Sequence, residues 1–146
     1  MSNNNPAKAY LRRYRAALKR AESLQRAIDE AHDRAINISV ALKPDKVQTS
    51  SNGDALEMSV IRAVEATERL EEELQRANQV LCEVLTAIGA VPDEMQKTVL
   101  TLRYVEGLDW LDVQEKIGYE KTQTLVIHGR ALLEVNRWMK VRTKTD

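Results

Sequence analysis

The chain has 146 residues, of which 30% are charged and 4% aromatic, with five glycines, three prolines and no phenylalanine. This composition favours long helices and argues against a β-rich fold. Basic and acidic residues are equal in number, 22 each, so any attraction to nucleic acid must come from local charge asymmetry. The single cysteine, Cys82, excludes a disulfide framework and argues against a cysteine-rich zinc site. We expect Cys82 to be a small buried apolar residue.

The sequence predicts neither a secretory signal nor a membrane-spanning segment. The first six residues, MSNNNP, show no charged segment followed by an apolar one, so no signal peptide is expected. No apolar run approaches the roughly 20 residues of a membrane span. We therefore predict a soluble protein without a membrane partner, located in the cytoplasm.

The first predicted element is a long helix with one apolar seam. Asn5 is a good N-cap, and Pro6 suits the first helical position because its missing N–H has no intrahelical acceptor there. Apolar residues then recur at alternating steps of three and four, the pattern of a helix that holds one stripe against a partner. They are Ala7, Tyr10, Tyr14, Ala17, Ala21, Leu24, Ile28, Ala31, Ala35, Ile38 and Leu42.

A second long helix is predicted after a loop. Residues 43–53 contain Pro44, Ser, Asn and Gly and are typical of a loop. Asp54 is expected to cap the next helix, with Glu57 three residues on in the reciprocal position. Its seam comprises Leu56, Val60, Ala63, Thr67, Leu70, Leu74, Ala77, Leu81, Val84 and Ile88.

Two seams of similar length joined by one loop predict a long antiparallel helical hairpin, which we assign to residues 1–88 as a spacer or oligomerisation domain. The first helix is rich in arginine and the second in glutamate, which favours their pairing. The alternative for these arginines is direct contact with phosphate. Apolar residues outside the second seam indicate a further surface, for the C-terminal part or for a second copy of the chain. They are Ile61, Val64, Val80 and Leu85.

Three shorter helices are predicted in residues 89–146. Asp93 is expected to cap the first, with Gln96 in the reciprocal position, and this helix continues to Gly107. Its buried stripe is Val99, Leu102 and Val105.

The last two helices follow the plan of a helix-turn-helix, in which a short helix supports a longer one that enters the major groove. Asp109 should cap the short helix, Gly118 should end it, and the final helix should run from about residue 120 to 139 or beyond. Four residues are spaced to form a small core between the two helices, and Tyr119 is placed to close that core from below. The four are Val113, Ile117, Ile127 and Ala131.

The sequence then resembles a known family. Residues 99–110, VLTLRYVEGLDW, are similar to the helix-turn-helix opening in region four of bacterial sigma factors. The continuation from Gly118 and Tyr119 through Gln123 and His128 to Arg130, Ala131 and Leu132 is similar to the RinA- and ArpU-like transcriptional regulators of phages and integrated elements. Residues 47–50 and 88–93 fit the same branch more weakly. A phage-encoded protein of this kind would be located in the bacterial host cytoplasm.

This resemblance implies an all-α DNA-binding protein with promoter or operator DNA as its ligand and RNA polymerase as a possible protein partner. It implies that the start of the last helix reads bases, through hydrogen bonds and contacts to thymine methyls, and that later basic residues contact phosphate. The implied base-reading residues are Lys121, Thr122, Gln123, Leu125 and Val126. The implied phosphate contacts are Arg130, Arg137, Lys140, Arg142 and Lys144.

Several positions depart from the sigma pattern. Gln114 replaces a small alanine, Thr124 stands where a buried Val or Ile is expected, and Glu120 replaces the usual Ser or Thr cap. Leu125 occupies a position that is often basic. Gly129 lies inside the helix, where it costs about 1 kcal/mol relative to Ala and is expected to allow a close backbone approach.

No motif predicts catalysis, a metal or another cofactor. His128 is expected to be a surface or supporting polar residue rather than a metal ligand, because no cysteine or second histidine stands at ligand spacing. Asp109 and Asp112 resemble a carboxylate pair, but helix capping accounts for both. We therefore predict that the chain is not an enzyme.

The function predicted is a sequence-specific regulator of transcription that binds double-stranded DNA as a homo-oligomer, with a dimer favoured. One alternative is the DNA-recognition subunit of a phage packaging machine, which also joins a helix-turn-helix to an oligomerising coiled coil. The other is an adaptor that binds RNA polymerase or a host regulator without contacting DNA.

Overall fold

The computed structural model describes residues 5–41 and 50–145, and all of its regular structure is helical. The helices are α1 (Pro6–Ala41), α2 (Ser50–Gly89), α3 (Glu94–Leu100), α4 (Trp110–Ile117) and α5 (Lys121–Thr145), with a π-helical segment, Thr101–Val105, after α3. The predicted all-α fold is confirmed. Across the described residues, no helix is long and apolar enough to cross a bilayer.

Helix α1 begins as its sequence predicts. The Asn5 side chain accepts hydrogen bonds from the N–H groups of Ala7 at 3.0 Å and Lys8 at 3.4 Å. A tertiary contact reinforces this cap, because the side-chain oxygen of Asn136 in α5 also accepts from Ala7 N at 2.9 Å. The free N–H groups at the start of α1 are thereby satisfied from two elements.

The predicted start of α2 is wrong by four residues. The helix begins at Ser50, so Asp54 lies inside it and cannot act as its N-cap with Glu57. Helix propensities differ by only about 1 kcal/mol even for Gly, which is too little to stop a helix that is already growing over 40 residues. Residues 42–49, which include most of the predicted loop, Leu42 and the weakly similar stretch 47–49, lie outside the described residues, as do residues 1–4.

The two long N-terminal helices pack together, and the chain forms two compact units. Unit 1 comprises Met1–Ala17 and Ala77–Asp146, and unit 2 comprises Leu18–Arg76. This division differs from the boundary near residue 88, which stays a prediction. Within unit 2, Arg20 of α1 pairs with Glu73 of α2, and His32 of α1 lines one groove with Val60 of α2. A later residue of α1 thus lies beside an earlier residue of α2, so the two helices run antiparallel.

The interior of unit 1 is formed by α1, α2, the α3 and π segments, and α5. Leu11, Val84, Val91, Leu100 and Val135 are fully buried there. Only Val84 of these five belongs to a predicted seam or stripe. At the edge of unit 1 the predicted charge pairing occurs, with Arg13 Nη2 2.6 Å from Glu83 Oε2.

The interior of unit 2 consists mostly of small residues. Its buried side chains are Ala21, Ile28, Ala31, Ser59 and Ala63. The predicted seam of α2 is therefore partly wrong. Its inner face includes the buried Ser59, and three seam residues are exposed. These are Val60, Thr67 and Leu74.

The helix after Asp93 also differs from expectation. Asp93 accepts from Gln96 N at 2.9 Å, but Gln96 Oε1 is buried without a hydrogen-bond partner, so the reciprocal half of the capping box does not form. The segment Thr101–Val105 then widens into a π-helix. Tyr104 within it is buried, 3% exposed, on the same side as Leu100 four residues earlier, and Leu102 is buried as well.

Cys82 is exposed, contrary to the prediction of a buried residue. It lies on α2 two residues before the buried Val84, and this spacing places the two side chains on different faces of a helix. A single apolar stretch could not show which of its residues faces inward.

Candidate functional site

A sharp turn between α4 and α5 positions the candidate site. The Asp109 side chain accepts from Asp112 N at 2.9 Å and so caps α4, as predicted. Gly118 ends α4 in the left-handed conformation, with φ 76° and ψ 24°, and its N–H donates to Gln114 O. A left-handed C-cap of this kind favours glycine because it has no Cβ.

Helix α5 begins with a local hydrogen-bonded turn. The backbone carbonyl of Glu120 accepts from both the N–H and the hydroxyl of Thr124, each at 2.9 Å. Thr124 is completely buried, so this bond satisfies its hydroxyl at a position where an apolar residue was expected.

The inner face of α5 packs on a small apolar cluster. Val99, Leu102, Val113 and Ile127 form this cluster, and Ile117 packs against it. Three of the four residues predicted for the core are thus placed together. Ala131, the fourth, is buried in the larger unit 1 core instead.

An aromatic cluster connects α5 to the π segment and α4. The Tyr104 hydroxyl shares a hydrogen bond with His128 Nε2 at 2.7 Å. The His128 ring stacks on Tyr104 with centroids 5.7 Å apart and meets Trp110 edge-on at 4.6 Å. The guanidinium group of Arg103 lies over the Trp110 ring, with its carbon 4.7 Å from the ring centroid. Arg103 also donates a hydrogen bond to the backbone oxygen of Leu108 at 2.8 Å.

His128 is therefore not a surface residue, contrary to one of the predicted alternatives. It is 6% exposed, and burial lowers its pKa to about 4, with further lowering by the nearby cations Lys8, Arg103 and Arg12. Burial likewise raises the pKa of Tyr104 to about 12. Both partners are thus uncharged near neutral pH, and the hydrogen-bonded pair holds α5 against the π segment.

The five residues predicted to read bases lie on the exposed part of α5, in its first two turns. They are Lys121, Thr122, Gln123, Leu125 and Val126. Leu125 and Val126 are each 40% exposed, so two apolar side chains stand beside the polar ones. The helix N-terminus adds free backbone N–H groups and a partial positive charge at the same place.

The predicted phosphate contacts are also exposed but are spread further along α5. From Val126, Arg130 is one turn away and Lys140 is about 21 Å away at 1.5 Å per residue. Arg137 pairs with Glu134 at 2.8 Å, and Arg142 donates to Tyr10 at 3.1 Å. Arg130 and Lys140 share the outward face of α5 with Thr122 and Val126 by helical register.

Charge is divided unevenly between the two units. Unit 1 contains 13 basic and 10 acidic residues, and unit 2 contains 9 basic and 12 acidic residues. The two units therefore carry net charges of opposite sign. The candidate site lies in the unit with net charge +3.

Some features of the site differ from the sequence analysis. Tyr119 is 44% exposed and does not close the core, and Leu111 on α4 is 63% exposed. A Cβ built on Gly129 would meet nothing within 4 Å, so that glycine makes no close approach. The Tyr104–His128–Trp110 cluster was missed, although a tyrosine, a tryptophan and a histidine on three adjacent helices were a signal for it.

Within the described part of the chain, no group of three or more His, Cys, Asp or Glu side chains is placed to hold a metal ion. Comparisons with known proteins found no matching family model, no matching curated protein and no matching solved structure.

Proposed function

We propose that the chain is a sequence-specific regulator of transcription that binds double-stranded DNA, with α4 and α5 acting as a helix-turn-helix. One observation carries the proposal. The turn at Gly118 leads into a helix whose inner face is fixed by Thr124, Ile127 and His128, while Lys121 and Gln123 are exposed in its first turn. In this kind of module the supported helix enters the major groove N-terminus first.

The exposed side chains suit the chemistry of base edges. Gln123 can bind adenine N6 and N7 together, and Lys121 can donate to guanine or to phosphate. Leu125 and Val126 can contact thymine methyls. Arg130, Arg137 and Lys140 would contact phosphate, which positions the helix but carries no sequence information.

A rigid support is part of the proposal. Base reading requires side chains held within a fraction of an ångström of their hydrogen-bond geometry, which needs a helix that cannot roll. The hydrogen bond between Tyr104 and His128 and the ring contact with Trp110 fix α5 from two elements.

The proposal is tested with a fluorescent duplex taken from the intergenic DNA beside the gene, compared with a scrambled duplex of the same length. We expect the double variant K121A/Q123A to lose the preference for the intergenic duplex, by about tenfold or more, since each bidentate contact discriminates by about 1–3 kcal/mol. The matched control is K19A/Q75A, which removes the same residue types from exposed positions of unit 2. If K121A/Q123A keeps the full preference for the intergenic duplex, these two residues do not read the bases.

The same anisotropy assay separates phosphate contacts from base contacts. Binding should weaken with salt with a log–log slope of roughly −3 to −5 per module, and R137A/K140A should flatten that slope by about 1 to 2. R137A/K140A should weaken both duplexes alike.

A specific observation favours a second candidate, an adaptor that binds another protein. Five large apolar side chains are exposed on α4 and α5: Leu111, Leu125, Val126, Leu133 and Val141. Purified RNA polymerase, immobilised and challenged with the full chain and with L111D/L133D, tests this role. Two results together would favour the adaptor. The full chain would bind polymerase and L111D/L133D would not, and the full chain would show no preference for the intergenic duplex. The packaging-subunit alternative needs the same DNA-binding surface and differs in how copies assemble.

A further inference from the structure

Unit 2 carries its large apolar side chains on the outside. Its interior holds mainly alanine and serine, whereas seven large apolar residues are 40–60% exposed. They are Ile36, Val40, Met58, Val60, Ile61, Val64 and Leu74. Apolar area of this extent on a two-helix unit is typical of a surface that another molecule covers.

One side of unit 2, here called the groove side, is apolar and acidic. A groove of about 350 Å³ runs along it, lined by residues of both helices that include His32, Val60, Val64 and Glu68. By helical register, Ile36 and Leu74 lie along the same side, together with the acidic residues Asp29, Glu57 and Glu71. Among the described residues of unit 2, no lysine or arginine has a register position on this side.

The opposite side, here called the arginine side, carries a regular row of arginines. Arg62, Arg69 and Arg76 recur every seven residues on α2 and are all exposed. Glu73 connects this side to α1, because its carboxylate accepts hydrogen bonds from Arg76 of α2 at 2.9 Å and from Arg20 of α1 at 3.5 Å. Arg34 lies on the same side of α1 by register.

We propose that copies of this chain associate through unit 2, with the groove side of one copy against the arginine side of the next. A two-fold dimer would bring each patch against its own copy, acidic against acidic or arginine against arginine. A head-to-tail contact pairs opposite charges and covers the apolar groove. It uses two different surfaces on every copy, so the assembly contains more than two copies, as a closed ring or an open chain. This differs from the dimer that the sequence favoured, and it does not depend on DNA binding.

The test is native mass spectrometry of the full chain without DNA. The wild type should give an assembly of more than two copies of the 16.6 kDa chain. E57K/E71K reverses the groove side and R62E/R69E reverses the arginine side, and each variant alone should be reduced to single chains. An equimolar mixture should assemble again, with the two variants alternating in every assembly, so that their copy numbers differ by at most one.

Matched controls lie on faces that belong to neither side. By register, Arg26 and Asp33 share a face of α1 that points away from both, so R26E and D33K should assemble like the wild type. Circular dichroism of each variant shows whether its helices have formed, and recovery in the mixture shows that the single variants were folded. A wild type that remains a single chain or a strict dimer would overturn the proposal. Assembly by either reversed variant alone, or a mixture that fails to assemble, would overturn it equally.

Discussion

The buried histidine predicts a pH dependence of stability that one substitution should remove. His128 is 6% exposed and has its pKa lowered to about 4, chiefly by burial and then by Lys8, Arg103 and Arg12. In the unfolded chain a histidine has a pKa of about 6.5. Between these two values the unfolded chain binds a proton that the folded chain does not, so the free energy of unfolding falls as pH falls.

The magnitude follows from the two pKa values. The stability contributed by neutral His128 is fully present above about pH 6.5 and is lost progressively down to about pH 4. The total loss is about 3 kcal/mol, and about 2 kcal/mol of it occurs between pH 7.5 and pH 5. This is a large share of the 5–15 kcal/mol that typically stabilises a domain of this size.

The assay is urea unfolding followed by circular dichroism at pH 7.5 and pH 5.0. H128Q keeps a polar side chain near Tyr104 but cannot titrate, so its stability should fall less between the two pH values than that of the wild type, by about 2 kcal/mol. H32Q is the matched control because His32 is exposed and lies in unit 2. Equal pH dependence in the wild type and H128Q would refute the assignment of His128 as a buried neutral base.

The remaining predictions concern three glycines and use the same unfolding assay at pH 7.5. Gly107 and Gly118 both have φ 76°, so replacing either by Ala should cost about 1–2 kcal/mol from backbone strain. At Gly107 the new Cβ would also meet the Arg15 guanidinium at 2.5 Å, whereas at Gly118 it would meet nothing. The guanidinium is the far end of a flexible side chain and can move aside, so G107A and G118A should cost about the same, and a much larger cost for G107A would contradict this. Gly129 has open space around it inside α5, so G129A should stabilise the protein by about 0.5–1 kcal/mol, and a loss of stability would contradict this.

The sequence predicted those parts of the fold that are decided by neighbouring residues. Asn5 with Pro6, Asp109, and Gly118 each fix a helix end through hydrogen bonds or backbone angles that involve only a few consecutive positions. Asp54 shows the limit of this reasoning. A capping residue is only a preference, and α2 begins four residues before Asp54.

By itself, then, the sequence determined the helical class, most helix ends and the residues exposed at the start of α5, because caps and helical periodicity act within one or two turns. Only the tertiary structure decided which face of each helix turns inward. Tyr104, in the π segment Thr101–Val105, faces the interior, and unit 2 buries Ser59 while Val60 and Leu74 stay outside. Burial of His128 depends on rings from two other elements. Such choices depend on how distant surfaces fit together, and no local pattern contains that information.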